Sequence, residues 1–226
     1  MTYDLYIGDR TFSSWSLRGW MMLEKFGLSF NTHLVGLYTG TMAHDLAPLA
    51  PARLVPVLRT PEGDVVTETM AMAETLAERH PEAQMWPGDA VARSKARSLC
   101  AEMATGFHAL RTACPMQLEH VWDGFQPDQA VLRDLERIQT LWAWAGGGDV
   151  SETDWLFGRY SLADVFYAPV AARIVGYDLP VSDGARAYCD RVVEDPAFRA
   201  WRAEGLQKTY DPHPYPMDLQ KRAWPV

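Results

Sequence analysis

The hydrophobic pattern of the chain changes at Pro81, and this change limits the possible folds more than any other feature. Before Pro81, short segments in which apolar and polar residues alternate are mixed with segments whose apolar residues recur every three or four positions. These two periods are typical of strands and helices respectively. After Pro81, the convincing elements have only the helical period. The sequence therefore predicts an α/β unit followed by a helical unit.

The α/β unit is predicted to have the element order βαβαββα. Tyr3, Leu5 and Ile7 alternate with polar residues as in a strand, and Gly27 stands where the first helix would need a C-terminal cap. The predicted strands are residues 3–7, 30–34, 55–59 and 65–67, and the predicted helices are residues 17–26, a short one within 39–51, and 69–80.

The helical unit contains a recognisable start signal. Ser161 and Asp164 stand three residues apart before an apolar run, which is the spacing of a capping box and indicates a folding role rather than catalysis. The predicted helices are residues 91–114, 129–144, 161–175, 183–194 and 196–207.

The pattern also predicts domain boundaries. We expect an α/β domain at residues 1–82, a linker at 83–90, an all-helical domain at 91–210 and a proline-rich tail at 211–226. The tail contains four prolines and is expected to lie extended over the surface.

Composition excludes several classes of protein. The formal net charge of −8 opposes nucleic-acid binding, and no apolar run is long enough to cross a membrane. The start of the chain lacks the basic and apolar regions of a secretory signal. Cys100, Cys114 and Cys189 are far apart in the sequence, which favours reduced thiols in the cytoplasm over disulfides.

The common catalytic motifs are missing from the sequence. No histidine or cysteine pair has metal-ligand spacing, so no metal is expected. The sequence also contains no G-x-S-x-G, phosphate-loop or G-x-G-x-x-G motif, which leaves hydrolase, nucleotidase and nicotinamide-dependent functions without their usual support.

The most informative segment is a serine cluster between the first strand and the first helix. Ser13, Ser14 and Ser16 lie where unpaired backbone N–H groups and the helix dipole stabilise an anion such as a thiolate. A helix cap with no chemical role explains serine there equally simply, and the pattern alone favours the cap.

Two further features are predicted at the same edge of the sheet. Val55-Pro56 offers backbone groups to a peptide-like ligand by strand addition. Glu68-Thr69 begins the next helix, where a carboxylate and a hydroxyl can hold an ammonium and a carboxylate group of one ligand.

Four segments in order resemble motifs of the glutathione S-transferase family, and the resemblance covers residues 3–206. T-F-S-S-W-S-L-R at residues 11–18 resembles the serine signature of a bacterial branch related to the zeta and theta classes. V-P-V-L at 55–58, E-T-M-A-M-A-E-T-L at 68–76 and S-L-A-D at 161–164 are similar to three further family motifs.

The resemblance implies a thioredoxin-like N-terminal domain, an all-α C-terminal domain and a homodimer. It also implies glutathione as co-substrate, held along the edge of the sheet. By position, Val55, followed by the family's cis-proline at Pro56, would pair with the cysteinyl backbone of glutathione. Glu68 and Thr69 would hold its γ-glutamyl end.

The resemblance implies a serine that donates its hydroxyl to the glutathione sulfur. Spacing to Arg18 favours Ser14, whereas alignment to the zeta S-S-C motif favours Ser13, so the choice stays open. Trp15 replaces the zeta cysteine, which argues against the zeta isomerase activity and narrows the acceptor pocket.

Arg53 and His108 are two more candidates for the binding site. Leu54 stands where many relatives carry a lysine, and Arg53 is a candidate substitute for it at the glycyl carboxylate of glutathione. His108 lies near a pocket position of the zeta class, although a structural histidine on a helix face is the simpler interpretation.

The function implied is activation of the glutathione thiol for attack on a small, apolar electrophile held between the domains, by conjugation or isomerisation. Two alternatives are a non-catalytic binding protein with this fold and, less favoured, a glutathione-dependent disulfide reductase, which commonly has a cysteine at the helix tip.

Overall fold

The α/β unit has the predicted element order. The structure is a computed structural model that describes residues 1–147, 155–208, 212 and 214–225. Its first elements are β1 (Tyr3–Ile7), α1 (Ser14–Glu24), β2 (Phe30–Leu34), α2 (Met42–Leu46), β3 (Val57–Arg59), β4 (Val65–Val66) and α3 (Thr69–Arg79).

The strands form one mixed sheet in the order β2-β1-β3-β4. β1 and β2 are parallel, with Tyr3 opposite Phe30, and β3 is antiparallel to β1, with Tyr6 opposite Val57. The end of β1 therefore lies beside the start of β3. This arrangement brings the loop before α1 and the segment before β3 to the same edge of the sheet, as the sequence predicts.

In its described residues, the second unit consists of helices apart from one pair of strands. Its elements are α4 (Ala90–Thr105), α5 (His108–Ala113), β5 (His120–Asp123), α6 (Gln129–Gly146), α7 (Leu162–Gly176), α8 (Asp183–Glu194), α9 (Pro196–Leu206) and β6 (Gln220–Ala223). The predicted fold class is confirmed, with two local differences. Within the described residues, no helix is both long and apolar enough to cross a membrane.

The first difference is that the helix predicted at residues 91–114 is two helices. Gly106 is extended, and a Cβ at this position would lie 2.8 Å from the backbone oxygen of Glu102. Phe107 follows in the left-handed conformation with φ of 55°. These two residues end α4 and redirect the chain, so α5 starts at His108 in a new direction.

The second difference concerns the tail, which was expected to lie extended over the surface. β6 pairs with β5 in antiparallel register, and Trp224 is buried against Gly176 of α7. The all-helical prediction is therefore wrong for residues 120–123. The tail is extended and exposed at residues 220–223, as expected, but it is paired as a strand and its Trp224 is buried. Part of the predicted tail, residues 211, 213 and 226, lies outside the described residues, and the domain boundaries stay a prediction.

Helix α7 lies at the centre of the molecule, and all of its residues are buried. It contacts α1, α4 and α8. The capping box at its start is present: Asp164 accepts hydrogen bonds from Ser161 N at 2.9 Å and Ser161 Oγ at 3.1 Å. Leu156 N and the Tyr188 hydroxyl, each at 3.1 Å, also donate to Asp164.

We expect Ser161→Ala to lower the free energy of unfolding by about 0.5–2 kcal/mol, the usual cost of losing a helix cap. Urea unfolding measures the change. Ser98→Ala is the matched control, since Ser98 is exposed within α4 and alanine favours a helix interior. An equal loss in both variants would contradict a specific capping role.

Asp164 should make stability depend on pH. Burial raises its pKa to about 6, above the ordinary 3.8 and against the effect of its hydrogen bonds. The folded chain thus holds this proton more tightly than the unfolded chain, so the contribution of Asp164 is complete below about pH 4 and is lost as the pH rises through about 6.

We expect the free energy of unfolding of the wild type, relative to Asp164→Asn, to fall between pH 4 and 7 by on the order of 3 kcal/mol. Denaturant unfolding at several pH values checks this. If both proteins showed the same pH dependence, Asp164 would not be the titrating group.

Candidate active site

A cleft of about 460 Å³ lies between the α/β unit and the helical unit. One wall comes from the loop before α1 and the segments next to β2 and β3. The other wall comes from α5, α7 and the C-terminal segment. The lining residues are Phe12, Ser13, Ser14, Trp15, Leu37, Tyr38, Leu54 and Val55 on the first wall, and His108, Arg111, Thr112, Arg173 and Tyr215 on the second.

The loop that enters α1 is held by buried polar side chains. Asp9 accepts hydrogen bonds from Thr11 N at 2.8 Å and Phe12 N at 3.1 Å. Ser16 is fully buried, and its hydroxyl oxygen accepts a hydrogen bond from Gly8 N at 2.9 Å. The loop backbone is therefore fixed without a ligand, and Ser16 faces the interior rather than the cleft.

Ser13 is the N-cap of α1. Its Oγ accepts from Ser16 N at 3.3 Å and donates to Ser16 Oγ at 2.8 Å. Both the oxygen and the hydrogen of the Ser13 hydroxyl are thus used within the loop. This geometry fits the cap interpretation of the serine cluster for Ser13.

Ser14 is the first residue of α1, is half-buried and lines the cleft. Its Oγ lies 3.5 Å from Arg173 Nη2, which donates to it in a long contact. Because the serine oxygen faces this N–H, the hydroxyl hydrogen is left to point at a ligand atom. Of the two serines left open by the sequence, Ser14 has the hydroxyl that can serve a ligand.

The strand-edge residues lie close to these serines. Val55 lines the cleft, and the Val55–Pro56 bond is cis. Pro56 packs behind it on Gly19 of α1, where an added Cβ would lie 2.9 Å from the proline ring. Gly19 therefore permits the close approach of this segment to α1.

Besides Pro56, three predicted residues do not line the described part of the cleft. Thr69 is buried at the start of α3, and Glu68 is the exposed N-cap of that helix. Arg53 is exposed, and its neighbour Leu54 lines the cleft instead. The structure thus brings together Ser13, Ser14, Trp15, Val55 and His108, with Trp15 half-buried and His108 exposed at the start of α5.

Two arginines of the cleft were missed by the sequence analysis. Arg173 is 5% exposed and donates to the carbonyl oxygens of Cys114 at 2.9 Å and Pro169 at 3.0 Å. Arg111 lies over the Trp15 ring, 5.3 Å from its centroid. The available signal was an arginine at position 173 inside a run of apolar residues, where a charge is costly unless it has a role.

A third arginine lies next to the cleft residues. Arg18 is buried, donates to the carbonyl oxygens of Phe166 at 2.9 Å and Ser14 at 3.3 Å, and lies 4.4 Å from the centroid of Trp15. Among the described residues, none of Arg18, Arg111 and Arg173 forms an ion pair with a carboxylate. Positive charge is therefore concentrated around Ser14 and Trp15.

The pKa values of all three arginines are lowered, as expected for positive charges that are partly or fully removed from water. Burial, followed by the charge of Arg111, lowers the pKa of Arg173 to about 10. Burial also lowers the pKa of Arg111, and it lowers the pKa of Arg18 well below its ordinary value. Arg173 nonetheless remains protonated at neutral pH, so it offers a positive charge to an anion in the cleft.

The cysteines are not candidates for the reactive group. Cys100, Cys114 and Cys189 are free and buried, and burial raises the pKa of each thiol, that of Cys114 to about 12. Their thiols stay protonated at neutral pH and are poor nucleophiles. In the described parts of the chain, no group of three His, Cys, Asp or Glu side chains is placed to hold a metal ion.

Sequence comparisons match both units. The family model "Glutathione S-transferase, N-terminal domain" matches residues 12–79. A maleylacetoacetate isomerase of Pseudomonas aeruginosa is 28% identical over 208 residues, which are 86% of this chain and 93% of the relative. A probable maleylacetoacetate isomerase of Caenorhabditis elegans is 29% identical over 159 residues, which are 66% of this chain and 73% of the relative.

Solved structures share the fold. A glutathione transferase homologue from Burkholderia with bound glutathione superposes with a TM-score of 0.68 at 22% identity, over 91% of this chain and 98% of that one. A sphingomonad glutathione S-transferase complexed with glutathione gives a TM-score of 0.65 at 19% identity, over 91% of this chain and all of that one. With the sequence relatives and the element order described above, these matches confirm that the chain resembles the glutathione S-transferase family.

Proposed function

We propose that this protein is a glutathione transferase that lowers the pKa of the glutathione thiol with Ser14 and directs the thiolate at a small acidic electrophile. One observation carries the proposal: the Ser14 hydroxyl lies at the start of α1, in the same cleft as Val55 and the buried charge of Arg173. Glutathione is the co-substrate, and no metal takes part.

Glutathione binds along the edge of the sheet in this proposal. The cysteinyl backbone pairs with the backbone of Val55, next to Pro56, and Glu68 and Thr69 hold the γ-glutamyl end. The cleft position of Val55 and the start of α3 at Thr69 support this placement. Arg53 stays a prediction at the glycyl carboxylate: it is exposed, and its neighbour Leu54 forms the cleft wall next to it.

The catalytic task is to ionise the thiol. A free cysteine thiol has a pKa near ~8.5, so only a few per cent is thiolate at neutral pH. The N-terminus of α1, the hydroxyl of Ser14 and the charge of Arg173 all favour the anion. Each tenfold gain in the ionisation constant corresponds to about 1.4 kcal/mol of preferential stabilisation.

The second wall indicates the kind of acceptor. From the sequence we expected an apolar electrophile, but Arg111 and Arg173 line this wall without a carboxylate partner among the described residues. Arg173 is buried and Arg111 is half-buried. A charge removed from water without an opposite charge costs stability, and an anionic ligand would offset that cost. We therefore replace the apolar acceptor by an acidic one, with Trp15 and His108 as further contacts.

The thiolate sulfur attacks an electron-poor carbon of the acceptor, and a C–S bond forms. In conjugation, the displaced electron pair leaves with a leaving group or is protonated on the acceptor. In isomerisation, the electron pair moves onto a conjugated carbonyl oxygen, the former double bond rotates, and the C–S bond breaks to return the thiolate. The curated relatives are named for isomerisation of maleylacetoacetate, which makes this acid the first acceptor to test.

We also propose a homodimer in the cytoplasm. A groove of about 490 Å³ between α3 and α4, lined by Ala77 and Pro81 together with charged residues such as Glu74 and Arg97, is the candidate contact surface for a second copy. Buried, reduced cysteines suit a reducing compartment. Sedimentation of the purified protein tests the dimer.

Ser14→Ala should raise the pKa of the bound glutathione thiol and lower kcat/KM by about 10- to 100-fold, since a hydrogen bond to a charged group is lost. Titration of the ultraviolet absorbance of the thiolate in the complex measures the pKa, and the pH profile of turnover measures the rate.

Ser13→Ala is the matched control. It removes the α1 cap and should lower the free energy of unfolding by about 1 kcal/mol, leaving the thiol pKa near its wild-type value. If Ser13→Ala shifted the thiol pKa and Ser14→Ala did not, our choice between the serines would be wrong. If neither variant shifted it, the serine mechanism would fail.

Arg111→Gln should raise the KM for maleylacetoacetate about tenfold and change the KM for neutral chlorodinitrobenzene by less than about twofold, because only the acid loses a charge-assisted contact. Steady-state kinetics with both acceptors measures the effect. Arg137→Gln is the control, since Arg137 lies on α6 and pairs with Glu102. Equal effects on both acceptors would contradict an acidic acceptor.

A further inference from the structure

The C-terminal segment, residues 214–225, reaches back to the active-site cleft. β6 anchors it to β5, Trp224 is buried, and Arg222 pairs with Asp178 at 2.9 Å. Ahead of these anchors in the sequence, Tyr215 lines the cleft. The Tyr215 side chain of the C-terminal segment is thus held in the wall of the cleft.

Tyr215 meets a residue of the α/β unit there. Its hydroxyl lies 3.0 Å from the hydroxyl of Tyr38, which follows β2. Both rings pack edge-on against Phe12, each with a centroid distance of 6.0 Å. The two hydroxyls are therefore placed by packed aromatic rings rather than by exposed, freely rotating side chains.

The Tyr38–Tyr215 pair lies on the side of the cleft where the glycyl end of glutathione would bind. In the proposed function, on which this inference rests, the cysteinyl residue lies at Val55 and the γ-glutamyl end lies towards Glu68 and Thr69. The glycyl end must then extend to the other side of Val55. Leu37, Tyr38 and Leu54 form that part of the wall.

The glycyl carboxylate needs hydrogen-bond donors at that place. Among the described residues that line the cleft, Arg111 and Arg173 belong to the opposite wall, and Leu54 offers only an apolar side chain. A buried carboxylate without a partner costs free energy. The two tyrosine hydroxyls are side-chain donors on the glycyl side of the described cleft.

We propose that Tyr38 and Tyr215 together bind the glycyl carboxylate of glutathione. In the free protein the two hydroxyls bond to each other. When the carboxylate enters, each O–H donates to one carboxylate oxygen, and these charge-assisted bonds replace the bond between the two hydroxyls. The C-terminal segment thereby forms part of the glutathione site.

The test compares glutathione with its glycyl monoethyl ester, in which that carboxylate is replaced by a neutral ethyl ester. Calorimetry gives the Kd of each for the wild type, Tyr38→Phe, Tyr215→Phe and the double variant. We expect the wild type to bind glutathione at least about tenfold more tightly than the ester, and the double variant to bind both within about twofold.

Tyr6→Phe is the matched control, since Tyr6 lies on β1 outside the cleft lining, and it should keep the wild-type preference. If the double variant kept that preference, or if the wild type bound the ester as tightly as glutathione, the inference would be wrong while the proposed function stood. A raised KM for maleylacetoacetate with an unchanged preference would assign the pair to the acceptor and overturn the inference. If the wild type bound neither compound, both the proposed function and this inference would fail.

Discussion

The contact between Arg173 and Ser14 depends on the burial of α7, and the site is organised around that contact. α7 has no exposed face, so it packs on α1 from the α/β unit and on α4 and α8 from its own unit. Arg173 near its C-terminal end reaches the first residue of α1. The packing of one apolar helix thereby fixes the position of a charge in one unit relative to a hydroxyl in the other.

This arrangement gives the two neighbouring serines different properties. The Ser13 hydroxyl caps the helix. The Ser14 oxygen accepts a long hydrogen bond from Arg173, so the Ser14 hydroxyl hydrogen can be donated to a ligand. The guanidinium is held by the carbonyl oxygens of Cys114 and Pro169, so its charge is not neutralised within the described residues. An ionised thiol and an acidic acceptor are the kinds of group that such a cleft favours.

Elements with a strong local signal could be predicted from the sequence, and elements that depend on distant contacts could not. The alternation at Tyr3–Ile7 and the spacing of Ser161 and Asp164 are local, and both predictions are confirmed. The pairing of β5 with β6 joins segments about a hundred residues apart, and neither segment is followed by a tight turn and a second strand, as in a hairpin. The end of α4 at Gly106 was missed because one glycine within a helical pattern is often tolerated.

The site, like the fold, could be predicted only where its residues carry a local sequence signal. The sequence predicted the serine cluster, and Val55 and His108 are indeed in the cleft. Arg111 and Arg173 belong to separate helices and contact Trp15 and Ser14 only through the packing of the two units, so no motif marks them. The choice between Ser13 and Ser14 depended on the direction of two hydroxyls, which spacing does not encode.

A crystal structure of the protein with glutathione tests the central claim most directly. We predict the glutathione sulfur within hydrogen-bond distance of Ser14 Oγ, on the side of that oxygen away from Arg173, with the cysteinyl backbone paired to Val55. A sulfur directed at Ser13, or glutathione bound elsewhere with the cleft empty, would contradict the account.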